Sequence, residues 1–379
     1  MVISKYQGGT MFLKTDNQMA GLGFIFPNCS PLMEGPKDRG KNHFLEHLMA
    51  KRLYNFRKEA TAKCLSVKCV TTHTDVRFLL SGLDKYVRAA SKPFYDSLFE
   101  SYRLFVEFPF ENEKDVIENE YNMAFSQPAG RSLSNALRKH FSYWAPIGDK
   151  NVVRWYKYKD ALEDIKRLSK PVLSFAFGKE DFEVNCFNEP FKKILPRQSY
   201  EDSKDPLEFR RANSGPNANL VWLLKEEVLD DREAAAVKML CTCLARSTTS
   251  PLFAEIRQKR GLAYHIGTGC LNFGGILPYF SISSNNPERC REVFEEIVIN
   301  NAENIGKYIP REWFEAVQSS CAVSAEIAEI FPHKDIEEML RMAMGYTATL
   351  VDHYDSISYE EMLETAVRLK RRGYFFYQE

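Results

Sequence analysis

The sequence predicts an α+β protein of two successive domains, and three observations point there. The chain has 379 residues, and at roughly 100–200 residues per domain that length suggests two. Near its middle, Pro196 to Pro206 and then Asn213 to Asn217 are rich in Pro, Gly, Ser, Asp and Asn and carry neither a helical nor a strand period. On both sides of that stretch, strand-like and helix-like segments alternate, which suits helices layered on a sheet. We place the boundary near residue 205, giving domains of residues 1–205 and 206–379.

The elements follow in order. Gly21-Leu-Gly-Phe-Ile-Phe26 and Phe78-Leu-Leu-Ser-Gly82 are short apolar runs of strand length. Tyr86 to Phe105 has apolar residues at three- and four-residue steps and predicts a helix. Val172 to Phe177 is a third strand, stopped by Gly178. In the second part, Leu220–Leu224 and Tyr279–Ser283 predict strands. Asp231 to Leu244 predicts a helix, with Asp230 as N-cap and Glu233 three residues on. Glu288–Ile299, Trp313–Ile330 and Tyr359–Leu369 predict further helices. The shared strand–helix order hints at an internal duplication.

Composition narrows the function. Hydrophobic residues are 44% and charged residues 27%, which excludes a disordered or collagen-like chain. Lys plus Arg and Asp plus Glu both number 51, so the basic excess of a nucleic-acid-binding protein is missing. No apolar run approaches the roughly 20 residues that span a bilayer, and the N-terminus lacks the apolar core of a signal peptide. A cytosolic location without membrane attachment is expected. The nine cysteines include no CxxC, and Cys241 and Cys243 are too close for a zinc ribbon; reduced, mostly buried thiols are expected. No GxGxxG follows a strand and no GxxxxGK[ST] occurs, which removes most support for nucleotide binding.

The segment with chemistry is Asn42-His43-Phe44-Leu45-Glu46-His47-Leu48-Met49. On a helix, His43 and His47 share one face and can reach one divalent ion, with the Glu46 carboxylate beside it. The order is H-x-x-E-H. Two histidines at this spacing also occur on solvated helices. A catalytic zinc usually takes three protein ligands, and the acid-rich helical segment Phe110–Phe125 offers a third, with Glu113, Ile117, Glu120 and Ala124 near one stripe. Read alone, that segment is a solvated acidic face.

His43-Phe-Leu-Glu46-His47, followed 73 residues later by Glu120 in the run Val116-Ile117-Glu118-Asn119-Glu120, resembles the inverzincin metallopeptidases, the group of pitrilysin, insulin-degrading enzyme and the mitochondrial processing peptidase. The resemblance implies Zn2+ held by His43, His47 and Glu120, Glu46 as general base, and Glu113 as a supporting carboxylate. A second stretch, Ser250-Pro-Leu-Phe-Ala-Glu-Ile-Arg257-Gln-Lys-Arg-Gly261-Leu-Ala-Tyr264, resembles that family's second-half signature. It implies that Arg257 and Tyr264 bind the substrate backbone and stabilise the tetrahedral intermediate. Read alone, Arg257 is a surface salt-bridge residue and Tyr264 a core aromatic. Phe177-Gly-Lys-Glu-Asp-Phe182 resembles the end of the family's first domain.

The resemblance covers nearly the whole chain. It implies two similar domains, each a mixed β-sheet with helices packed on one face, and a pairing of two such chains into a clamshell dimer around a peptide substrate. Both signatures lie in one chain, so a homodimer suffices; a paralogous second subunit is the alternative. The implied activity is a zinc-dependent endopeptidase cleaving peptides or unfolded precursor segments. The competing expectation is a non-catalytic structural or regulatory homologue, although such members usually lack a zinc or base residue and His43, Glu46, His47 and Glu120 are all present.

The chain departs from the family in two ways. It is shorter than typical members between His140 and Ser174, and Lys68–His73 stands where an Asn-Ala edge strand is usual. Around the motif, Lys37, Arg39, Lys41, Lys51, Arg52, Arg57, Lys58 and Lys63 outnumber Glu34, Asp38, Glu46 and Glu59. They read as a solvated face, or else as a preference for an acidic peptide such as the leader of a natural-product precursor. His140, His265, His333 and His353 have no metal-ligand spacing.

Overall fold

A computed structural model describes residues 3–7, 10–14, 18–100, 110–141, 143–168, 173–179, 218–273, 275–330 and 353–378. The inferred boundary near residue 205 and His333 lie outside the described residues, as does the last stretch of the helix expected to reach Phe105. The described residues fall into two compact units. One draws on Met1–Met123, Trp144–Pro196 and Ala328–Gly345, the other on Ala124–Tyr143, Arg197–Ile327 and Tyr346–Glu379.

The first unit is built on a six-stranded mixed sheet. Its strands are β1 (Ile3–Gln7), β2 (Thr10–Lys14), β3 (Met19–Phe26), β4 (Ser66–Thr71), β5 (Val76–Leu83) and β6 (Leu173–Gly178), in the order β1-β2-β6-β3-β5-β4. Only β2 and β6 run parallel; every other neighbouring pair is antiparallel. β3 is central and buried along almost its whole length, which is why it reads as a continuous apolar run rather than an alternating one. Its small residues have a packing reason. A Cβ on Gly21 would stand 2.3 Å from the Phe177 ring, and one on Gly23 would stand 2.2 Å from the Phe175 ring. The glycines therefore leave room for two phenylalanines of β6.

The other face of β3 carries Leu22, Phe24 and Phe26 into the main core. Helix α1 (Lys41–Arg52) lies against β4 and β5; α2 (Tyr54–Ala62) follows it, and α3 (Asp84–Phe99) packs on β3 and β5. Phe24 meets Phe94 and Phe99 of α3 with ring centroids 5.7 and 5.2 Å apart. Helix α4 (Phe110–Ser126) sends Phe110 onto Phe44 of α1, 5.0 Å between centroids. This aromatic core fixes α1 and α4 side by side, the placement the site depends on.

The second unit has a four-stranded antiparallel sheet of β7 (Ala218–Leu224), β8 (His265–Asn272), β9 (Ile276–Ser284) and β10 (Tyr374–Gln378), ordered β10-β7-β9-β8. Helix α5 (Pro128–Phe141) packs against β7, β9 and β10. After the short helices α6 (Lys150–Trp155) and α7 (Tyr158–Asp164) of the first unit come α8 (Asp231–Ala245), α9 (Pro287–Phe294), α10 (Arg311–Ile330) and α11 (Tyr359–Arg372). Asp230 caps α8 as its sequence predicts, accepting the Glu233 N–H at 2.8 Å. Successive residues of β10 point to opposite faces. Phe376 joins Trp222, which stacks on Phe294 of α9, while Phe375 meets His140 and Phe141 of α5. Helices thus reach both faces of this sheet.

Candidate functional site

Helix α1 divides its residues cleanly. Phe44, Leu45, Leu48 and Met49 are buried in the core, leaving His43, Glu46, His47 and Ala50 on the face that lines a cavity. The helix start is built to be exact. Gly40 precedes it at φ +92, a left-handed conformation that favours glycine, and a Cβ there would lie 2.9 Å from the Ile147 carbonyl oxygen. The orphan amides at this end are taken by Glu34, whose carboxylate accepts the N–H groups of Gly40 and Asn42, each at 2.7 Å.

Helix α4 supplies the opposing carboxylates. Glu113 and Glu120 are seven residues apart, two helical turns, and so share a face, with buried Ile117 between them. Glu120 Oε2 stands 3.3 Å from His47 Nε2 and 3.7 Å from His43 Nε2. The two imidazole rings are 4.7 Å apart. Glu113 lies behind His47, with Oε1 2.7 Å from Nδ1, and its other oxygen is 2.7 Å from Lys51 Nζ. Glu46 is only 5% exposed, and its Oε2 accepts the Thr71 hydroxyl of β4 at 3.4 Å. β4 stands at the sheet edge, where an extended chain can add.

The electrostatics differ residue by residue. Burial pushes Glu46 up to about 7 and His43 down to about 4. Burial also opposes charge on His47, but hydrogen bonds to Glu113 and Glu120 outweigh it and raise that ring to about 10. Burial would raise Glu113, yet His47 and Lys51 hold it below its usual value. The His47 hydrogen bond holds Glu120 low as well.

These residues fit a zinc ion. Donor atoms of His43, His47 and Glu120 all lie within 4.8 Å of one another. Two ligands at about 2.0–2.1 Å from a tetrahedral zinc stand roughly 3.4 Å apart, close to the 3.3 and 3.7 Å separations across Glu120. With Nδ1 of His47 engaged by Glu113, its Nε2, which faces Glu120, is the atom a metal would take on displacing its proton, in the usual carboxylate–histidine arrangement. His43 Nδ1 is buried without a hydrogen-bond partner among the described residues, so among them only the His47 ring is braced in this way.

Arg257 and Tyr264 belong to the second unit and form a pair of their own. Arg257 sits on the irregular helical run Phe253–Lys259, anchored by buried Ile256. Its Nη1 donates to the Tyr264 carbonyl oxygen at 2.6 Å, and its guanidinium lies 5.1 Å from the Tyr264 ring centre. Tyr264 is 80% exposed, so it is not a core aromatic, and Arg257 makes no ion pair among the described residues. The expected solvated basic face also needs correction. Arg52 is buried and donates to the Leu98 carbonyl, while Lys51 and Arg57 line the cavity. Of the other cavity residues, Lys51 and Arg57 stood in the basic run around the motif and Cys69 and Thr71 in the stretch expected at a sheet edge, whereas Tyr54 gave no signal in the sequence.

Residues 169–321 match the family described as the Peptidase M16 inactive domain. That span holds Arg257 and Tyr264 and excludes the histidine cluster. No curated protein matches the chain in sequence. Several solved structures share its fold. A protease from Helicobacter pylori is 13% identical, with a TM-score of 0.76, over 100% of this chain and 98% of that one. A chain of Complex III2 from Candida albicans, Inz-5 bound, is 12% identical with a TM-score of 0.77 over 100% and 94%. A peptidase M16 inactive domain from Pseudomonas fluorescens is 13% identical with a TM-score of 0.72 over 97% and 94%. The chain therefore shares its fold with these proteins, and residues 169–321 carry the sequence pattern of the Peptidase M16 inactive domain.

Proposed function

We propose that the protein is a zinc-dependent endopeptidase that hydrolyses peptides or unfolded precursor segments, each site being shared by two copies of the chain. The observation that carries this reading is the convergence of His43, His47 and Glu120 with a buried carboxylate, Glu46, on the same helix face. Bound zinc supplies Lewis acidity, which makes water a nucleophile near neutral pH and polarises a peptide carbonyl. Glu46 accepts the proton of the attacking water and returns it to the amine nitrogen as the C–N bond breaks, a role worth about 10²–10⁴ in rate. Thr71 holds the Glu46 carboxylate in place. Glu113 is a positioning residue that fixes the His47 tautomer. The Tyr264 hydroxyl donates to the developing oxyanion, with Arg257 steadying the tyrosine.

The dimer rests on the resemblance to two-domain chains that pair into a chamber. In that arrangement His43, Glu46, His47 and Glu120 of one copy act with Arg257 and Tyr264 of the other. A cytosolic setting suits the eight described cysteines, which are free thiols.

A second reading, a non-catalytic homologue, is favoured by the match to an inactive domain and by the likeness to a Complex III2 chain. One experiment separates the two. Protein of verified zinc content is incubated with a mixed peptide library, and cuts are mapped by mass spectrometry. Cleavage that stops with a chelator and returns with zinc supports the peptidase. A zinc-loaded protein that makes no cuts supports the second reading.

A further inference from the structure

The cavity around the histidine cluster has a volume of about 600 Å³ and is also walled by Tyr54 and Arg57 of α2 and by Cys69 and Val70 of β4. Its two long cations stand in different states. Lys51 is paired at 2.7 Å with Glu113, so its charge is answered within the protein. Arg57 has no carboxylate at ion-pair distance among the described residues. Its side-chain hydrogen bond runs from Nη2 to Cys69 Sγ at 3.2 Å. A thiol is a weak acceptor, and burial pushes Cys69 up to about 12, so no thiolate stands there to balance the guanidinium. The contact anchors the side chain against β4 and leaves donors of the guanidinium for another acceptor. A planar guanidinium held at one corner suits a carboxylate, which it can bind through two parallel hydrogen bonds.

We infer that Arg57 gives this cavity a preference for peptides that carry an acidic side chain beside the bond presented to the His43–His47–Glu120 cluster. The inference rests on the peptide-binding reading above and deepens it by naming a substrate class. β4 brings Cys69 and Val70 to the same cavity from the sheet edge. A chain extended along that edge turns alternate side chains to one side, and one of them reaches Arg57. A peptide's own C-terminal carboxylate has the same chemistry, so the test separates the two sources.

The test reads binding, not turnover, and therefore stands apart from the cleavage experiment. Full-length Glu46→Gln protein is titrated into fluorescein-labelled decapeptides of Ala, Ser and Leu with a single central Glu, Gln or Lys, each made with a free and with an amidated C-terminus. Anisotropy gives Kd at low and at high salt. The expected result is about five- to tenfold tighter binding of the amidated Glu peptide than of the Gln peptide at low salt, shrinking as salt rises. In the same background, Arg57→Gln abolishes the ratio, Arg57→Lys keeps part of it, and Arg57→Glu shifts preference to the Lys peptide. Equal binding of the amidated Glu and Gln peptides by the parent overturns the inference without any Arg57 variant. So does an unchanged ratio in folded Arg57→Gln. A preference that follows only the free C-terminus also overturns it, because the carboxylate recognised would then not be a side chain.

Discussion

His47 is engaged from both ends of its ring. Nδ1 meets Glu113 at 2.7 Å and Nε2 meets Glu120 at 3.3 Å. Removing the ring takes away one of the three proposed zinc ligands and also strands Glu113 with Lys51 alone. His47→Ala should therefore purify without zinc, measured by elemental analysis; full occupancy would overturn its assignment as a ligand. Glu113→Gln leaves His43, His47 and Glu120 in place, weakens the brace and removes the charge paired with Lys51. It should weaken zinc by about 10–100-fold in competition with a chelator of known affinity, and an unchanged affinity would show that the brace is idle. The two histidines and Glu46 were legible because they sit within one helical turn, where spacing alone fixes their common face. Glu113 and Glu120 were visible only as an acid-rich stripe, given meaning by the motif upstream. Arg57 was not legible as a cavity residue. Its position depends on β4 folding back along α1 and α2, a long-range event with no local signature.

At the scale of elements, α1 depends on Glu34, which is remote from the chemistry. Burial pushes the Glu34 carboxyl up to about 7, against the lowering effect of the Asn42 and Gly40 amides. A carboxyl whose folded pKa is raised contributes stability that is fully present below its unfolded value, about 4.5, and that is lost as pH rises through about 7. Glu34→Gln cannot titrate. The melting temperature of the wild type, taken relative to Glu34→Gln, should therefore fall between about pH 4.5 and 7 and level off above. Parallel curves across that range would contradict the burial of this group. Among the central strands, β3 and β7 were legible because burial on both sides makes them apolar runs, and β5 and β9 because buried apolar residues alternate with half-buried ones. The strands at the margins were harder. β8 carries Gly267 and Gly269 and is half exposed, and β10, Tyr374-Phe-Phe-Tyr-Gln378, shows no alternation of apolar and polar residues. Such strands are specified by the neighbour they pair with rather than by their own pattern. α5 gave no sign in its sequence that it packs with the second unit's sheet, because its partners β7 and β10 lie far along the chain.

At the scale of the whole molecule, the His43–His47–Glu120 cluster lies in one unit and the Arg257–Tyr264 pair in the other. If each site draws on two copies of the chain, defects in the two parts complement. Glu46→Gln should be inactive and Arg257→Ala with Tyr264→Phe nearly so. An equal mixture after subunit exchange should regain about a quarter of wild-type activity, because half the dimers are mixed and one of their two sites is intact. A mixture that stays inactive despite proven exchange would place each site within one chain. Beneath this lies the claim that the cluster and Glu46 form a working peptidase centre. The most direct test is the cleavage rate of a peptide mixture by wild-type and Glu46→Gln proteins of equal zinc content. The centre described here predicts measurable cleavage by the wild type and a loss of at least about 10² in the variant. Equal rates in the two proteins, or a zinc-loaded wild type that cleaves nothing, would contradict it.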